Sequence, residues 1–118
     1  MAKGKTFKRD KFEERILGEV NLILRSKISD TRLQFVSITK VELNNDYSQA
    51  ILYWDTFDAN SRGDAKAAIE SIPGRVRSLL AQTLEVRHVP TITFKYDSQY
   101  ESELAIENLL KSEKENES

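Results

Sequence analysis

Residues 71–97 read SIPGRVRSLLAQTLEVRHVPTITFKYD, and their punctuation decides the fold. Pro73 has no amide hydrogen to donate, and its ring clashes with the preceding turn. A helix running up to Ile72 must therefore end or bend there. Gly74 then opens backbone angles closed to other residues. Beyond the break, Val76, Leu79, Leu80 and Leu84 recur at i, i+3, i+4 and i+8, one apolar stripe at helical period. Arg75, Ser78 and Gln82 fall on the other side of that cylinder, with Arg77 on a flank. After Pro90 the run Thr91-Ile92-Thr93-Phe94-Lys95-Tyr96 alternates, with Ile92, Phe94 and Tyr96 on one face of a half-buried strand. The stretch predicts helix, kink, helix, strand, with two arginines just past the kink. Leu79, Leu80, Ile92 and Phe94 are expected to be deeply buried.

Upstream, Ser61-Arg62-Gly63-Asp64 resembles a capping signature, and Ala65, Ala68, Ile69 and Ile72 give a small-residue helix face suited to close packing on a sheet. Before it, residues 33–43 are rich in Phe35, Val36, Ile38, Thr39 and Val41, and residues 47–55 place Ala50, Leu52 and Trp54 on one face and Ile51 and Tyr53 on the other. Asn44-Asn45-Asp46 joins these strands; Asn and Asp tolerate left-handed backbone angles and cap their own turns, so an antiparallel hairpin is expected. At the front, residues 8–26 form one long helix with Phe12, Ile16, Val20, Ile23 and Leu24 on one face and Leu17 on its border. Asp10 and Glu13 have the spacing of a capping box, unless the helix starts earlier and Asp10 sits in its first turn. At the far end, Ser98 with Glu101 offers another cap, and Tyr100, Leu104, Ile106, Leu109 and Leu110 permit a short C-terminal helix. The order α-β-β-α-kink-α-β favours an α+β, two-layer arrangement: a three-stranded mixed sheet with helices on one face. Three segments are expected: a flexible basic arm at 1–7, the folded domain at 8–97, and a short helix with an acidic, disordered tail at 98–118.

With 118 residues, 39% hydrophobic and 31% charged, the chain has the size of one soluble domain with a small core and a charged surface. No apolar run approaches the ~20 residues of a membrane span, and no apolar run follows the N-terminal lysines as a secretory signal requires. The absence of cysteine removes disulfide and thiolate chemistry and suits a cytoplasmic location. The net charge of −1 hides a polarised distribution: +5 over residues 1–40, −4 over 41–60, +3 over 61–96 and −5 over 97–118. Lys3, Lys5, Lys8, Arg9 and Lys11, opposed only by Asp10, form the densest basic cluster.

The residue types argue against catalysis. A hydroxyl nucleophile needs a base, and the sole histidine, His88, stands between Arg87 and Val89 in a positive neighbourhood unsuited to a general base. A structural or phosphate-facing role suits it better. One histidine and no cysteine leave only turn and loop carboxylates for a metal, and no phosphate-binding glycine loop is present. No enzyme, cofactor or metal is expected. Arg75 and Arg77 read either as solvated helix-surface residues or as phosphate ligands beside Gly74, where free amides, the helix dipole and arginine's planar fork act together. The phosphate reading is favoured.

In their order and spacing these fragments resemble the ribosome-binding factor A family, whose members act in maturation of the bacterial small ribosomal subunit. The resemblance covers nearly all of residues 8–110. It rests on Arg9 and Arg15, on Ser29-Asp30-Thr31-Arg32-Leu33, on Val36-Ser37-Ile38-Thr39-Lys40-Val41, and on Asn45-Asp46 ahead of Gln49-Ala50-Ile51-Leu52-Tyr53. It is densest in Gly74-Arg75-Val76-Arg77-Ser78-Leu79-Leu80, Val86-Arg87-His88-Val89-Pro90 and Phe94-Lys95-Tyr96-Asp97-Ser98. It implies a type II KH fold and no catalysis. It also implies binding to small-subunit ribosomal RNA and the free small subunit, and a part in late rRNA maturation and cold adaptation. A cytoplasmic monomer is expected, with no membrane partner. KH domains that clamp a nucleic-acid backbone use a GxxG loop between two helices. This chain has Ser71-Ile72-Pro73-Gly74 there. The family it resembles also lacks GxxG and bends at a small residue before glycine; here Ile72 and Pro73 occupy the bend. The RNA-binding set expected is Lys3, Lys5, Lys8, Arg9, Lys11, Arg15, Gly74, Arg75, Arg77 and Arg87. The rival reading is a KH-like protein–protein adaptor without direct RNA recognition.

Overall fold

The computed structural model describes residues 7–97 and Leu110. Helix α1 (Phe7–Ser26) leads through a single 3-10 turn (Thr31–Leu33) into β1 (Val36–Leu43), and a hairpin returns as β2 (Gln49–Thr56). A second 3-10 turn (Ala59–Ser61) leads into α2 (Arg62–Glu70), then α3 (Pro73–Leu84) and β3 (Thr91–Tyr96). The sheet order is β1-β2-β3, with β1 antiparallel and β3 parallel to β2. The predicted mixed sheet and helix order are both present. The expected C-terminal helix, the acidic tail and residues 1–6 of the arm lie outside the described residues, apart from Leu110, which is helical; Phe7, expected in the arm, is the first residue of α1.

The core forms where the periodic stripes meet. Ile16 and Val20 of α1, Leu52 of β2, and Val76 and Leu80 of α3 are fully excluded from solvent. Trp54 stacks edge-on against Tyr96 across the parallel pair, with ring centroids 5.0 Å apart. Leu79 and Phe94 are only half-buried, unlike Leu80 and Ile92. Leu79 stands at the border of the α3 stripe, and Phe94 lies on the outer strand, where β3 has a neighbour on one side only. Ala65 and Ala68 lack bulk, so α2 lies close against the turn at Thr31–Leu33.

Polar side chains of α1 grip the free edge of β1. The Glu13 carboxylate accepts from the Leu43 amide at 2.8 Å, and it is buried. The Asn21 amide both accepts from the Ile38 amide (2.8 Å) and donates to the Ile38 carbonyl (3.1 Å). Arg25 donates to the carbonyls of Leu33 and Val36. The helix thus runs antiparallel to β1 and satisfies backbone groups that an edge strand would leave open. The strand needs this near Ile38, because the register slips by one residue at Thr39.

Three local expectations are corrected. The helix starts at Phe7, so Asp10 lies in its first turn and Glu13 holds β1; the two form no capping box. Ser61 makes no side-chain cap on α2; its hydroxyl donates to the Asp58 carbonyl instead. In the hairpin the left-handed residue is Tyr47 (φ 62°), not Asn or Asp. Asn44 and Asp46 act through their side chains: Asn44 Oδ1 accepts from Gln49 N and Asp46 Oδ1 from Ser48 N, each at 3.0 Å.

The corner between α2 and α3 is made without help from glycine. Ser71 and Ile72 close the end of α2 through 3.1 and 3.3 Å bonds to Ala68 and Ile69 carbonyls. Ile72 buries its side chain at the bend, and Pro73 opens α3 at the position where its missing amide hydrogen and fixed φ fit the helix. Gly74 sits within α3 with open space beside it.

Candidate nucleic-acid interface

Two long side chains fix how the helices lie. Arg75 Nη2 donates to the Lys27 carbonyl just past α1 (3.2 Å), and Arg15 Nη2 donates to the Leu84 carbonyl at the end of α3 (3.3 Å). The helices are therefore antiparallel. The first half of α1 meets the last turn of α3, and the β1–β2 turn and the 85–90 connection arrive at the same end. Arg15 also places its positive charge on the negative end of the α3 dipole.

Between these elements lies an open groove of about 810 Å³. Lys8, Lys11, Arg15 and Arg77 line it, with His88 beside them. Its apolar lining comes from Phe12, Tyr47, Val86 and Val89, all half-buried. The Phe12 and Tyr47 rings lie 5.7 Å apart at 39°. Arg77 bridges the walls: its Nη2 donates to the Val89 carbonyl (2.9 Å) and its Nε to the Pro90 carbonyl (3.2 Å). It fixes the connection that leads into β3. Lys11 Nζ stands 5.2 Å from the Phe7 ring centre, a cation–π distance.

Asp46 is the acid on the groove wall. Its carboxyl is held below the ordinary range, first by the Ser48 hydroxyl donating at 2.6 Å and then by the Ser48 amide. It stays anionic and draws the turn together. On the sheet's other face, Tyr53 donates its hydroxyl to Glu42 at 2.7 Å, which pushes the phenol's pKa up.

The structure brings together Lys8, Lys11, Arg15 and Arg77, which the sequence separates by up to 69 positions. Arg9 points to the hairpin, where Nη2 donates to Asn45 Oδ1 at 3.2 Å. Gly74 and Arg75 lie at the opposite end of α3, beside the kink, and Arg87 is exposed in the 85–90 connection. Lys3 and Lys5 lie outside the described residues. The aromatic and aliphatic lining was missed. Its signal was available in Phe12, four residues after Lys8, and in Tyr47, directly after a turn signature. Among the described residues no group of three His, Asp or Glu could hold a metal, and no helix is long and apolar enough to cross a membrane.

A family model described as RBFA, ribosome-binding factor A, matches residues 8–110. The chain belongs to this family. A relative from Syntrophomonas wolfei, named ribosome-binding factor A, is 34% identical over 111 residues, covering 92% of this chain and 91% of its own length. The backbone is similar to the crystal structure of ribosome-binding factor A from Thermus thermophilus, with a TM-score of 0.65 at 20% identity, over 75% of this chain and 93% of that one. It is also similar to a homology model of the Thermus thermophilus protein fitted into the cryo-EM map of a 30S–RbfA complex (TM-score 0.61, 20% identity, 74% of this chain and 92% of that one). Both likenesses show that the family shares this fold.

Proposed function

We propose that this protein is a non-catalytic assembly factor. It binds the precursor of the small ribosomal subunit through phosphates of its rRNA and promotes late rRNA maturation, including growth in the cold. Membership of the family supports the partner, as does the fitting of the Thermus thermophilus relative into the map of a 30S complex. The observation that carries the RNA reading is the convergence of Lys8, Lys11, Arg15 and Arg77 on one groove. Arg9 and Arg87 extend the same positive field, Lys3 and Lys5 add charge for the RNA, and Gly74 with Arg75 forms a second contact at the kink. Residues 7–97 act as the binding unit, 1–6 as a basic arm and 98–118 as an acidic appendage. The protein works in the cytoplasm as a monomer. The test is co-sedimentation with purified small subunits across a salt series, comparing wild type with Lys8→Glu/Lys11→Glu. Removing one cation–phosphate pair flattens the plot of log affinity against log salt by roughly one unit.

The adaptor reading has one observation of its own. Phe35 and Phe57 are 47% and 90% exposed on the open side of the sheet, joined by a bond from Phe57 N to the Phe35 carbonyl. Exposed aromatics side by side mark protein-binding surfaces. Loss of subunit binding on Phe35→Ser/Phe57→Ser, with the salt slope unchanged, would favour it.

A further inference from the structure

We propose that the groove between α1 and the 85–90 connection takes one unpaired nucleotide of the RNA, its base against Tyr47 and Phe12 and its flanking phosphates on Lys8 and Lys11. This rests on the rRNA reading above and assigns a ligand to the groove. The groove takes Arg77 from α3 and its other lining from α1, the β1–β2 turn and the connection into β3; none of Ser71, Ile72, Pro73 and Gly74 lines it, so it is separate from the corner between the two helices.

Three observations carry it. The first is backbone strain. Tyr47 holds φ 62°, a region that disfavours bulky side chains, while Asn45, which tolerates it, is two residues away. Tyr47 closes the turn, its amide donating to the Asn44 carbonyl at 3.2 Å, and it is there that the left-handed angle falls. The strained conformation sets the Tyr47 ring in the groove beside Phe12, and strain of this kind gathers at ligand sites. The second is mixed chemistry. Half-buried rings and valines supply an apolar surface, and the lysines beside them supply charge. A ligand with a flat apolar part flanked by anions uses both, and a nucleotide in a single strand is such a ligand. The third is shape. The groove is concave and within the usual volume range of small-ligand pockets, with room for a base that has left its stack. Arg15 and Arg77 hold the walls, each spending donors on backbone carbonyls, which leaves the pocket formed before RNA arrives.

The test uses the full-length protein and two RNA hairpins of identical phosphate count. One carries a single unpaired adenosine and the other an abasic ribose at the same position. Wild type should bind the first about five- to 150-fold tighter, the range of one base stacked on an aromatic side chain. Tyr47→Gly, in which glycine adopts the same φ without strain, should bring that ratio to about one with an unchanged salt slope. Tyr47→Phe should restore the ratio. Lys8→Ala and Lys11→Ala should weaken both hairpins alike and flatten the slope. Equal binding of the two hairpins by wild type, or a Tyr47→Gly variant that weakens both equally, would overturn the proposal. So would a Tyr47→Gly variant that loses affinity for a glutamate-rich peptide and keeps both hairpins, because the groove would then be a protein site. The wider rRNA reading fails on a different result: small-subunit binding that is insensitive to salt and to the lysine changes.

Discussion

Single polar residues set much of this structure, and they are the part a periodicity reading handles least well. Glu13 falls on the helix stripe in sequence, yet it is buried because its carboxylate receives the Leu43 amide. Glu13→Ala leaves that amide without its partner and should lower stability by about 1–3 kcal/mol in chemical denaturation. Glu13→Gln keeps an acceptor and should recover much of the loss. Asp46 gives a pH dependence. Its folded-state carboxyl is depressed by Ser48, so its contribution is complete above the unfolded value of about 3.9 and is lost as pH falls through the lower folded value. The melting-temperature gap between wild type and Asp46→Ala should therefore be widest near neutrality and close as the solution is acidified below about pH 4. Sequence marked Asn44-Asn45-Asp46 as the turn but put the left-handed angle on the wrong residue. Propensity assigns that angle to Asn or Asp, whereas it falls on Tyr47, whose amide closes the turn on the Asn44 carbonyl. In the same way Asn21 reads as an ordinary mid-helix polar residue until β1 is placed beside it.

The elements themselves were legible, because each carries one clear period: 3.6 in α1 and α3, and 2 in β2 and β3. Pro73 marked the break between α2 and α3 to the residue. What one sequence lacked was the depth of each position, since Leu79 and Leu80 look alike until the sheet edge is known. Leu80→Ala removes a fully excluded side chain from the packing of α3 on the sheet and should lower stability by about 2–5 kcal/mol. Pro73→Ala, by contrast, sits where the helix would form with either residue, and should change stability by no more than about 1 kcal/mol. If the stiff corner positions Arg75 and Gly74 for RNA, that variant should lose more small-subunit affinity than stability; unchanged affinity would make the proline incidental. Off the apolar stripe in sequence, Arg77 reads as a surface cation or a phosphate ligand, not as part of the fold. Its bonds to the Val89 and Pro90 carbonyls predict otherwise. Arg77→Glu should lower the melting temperature as well as RNA affinity, while Lys8→Glu should lower affinity alone.

At the scale of the whole molecule, the uneven charge along the chain becomes a spatial pattern. Part of the +5 block and part of the +3 block meet, because α1 and α3 pack side by side and the connection into β3 folds back on Arg77. Sequence predicted that basic residues distant in the chain would share a surface, and the structure joins Lys8, Lys11, Arg15 and Arg77. It also separates them from Gly74 and Arg75, which sequence had grouped with them because helix direction was unknown. An arrangement of this kind attracts phosphate from a distance and releases it as salt rises. The most direct test is the salt dependence of small-subunit binding by the wild-type protein and by Lys8→Glu/Lys11→Glu, with circular dichroism to show that both are folded. Wild type should give log affinity falling linearly with log salt. The variant should bind much more weakly, with a slope flatter by about two units. Equal affinity and equal slope in two folded proteins would contradict a phosphate-binding role for this groove.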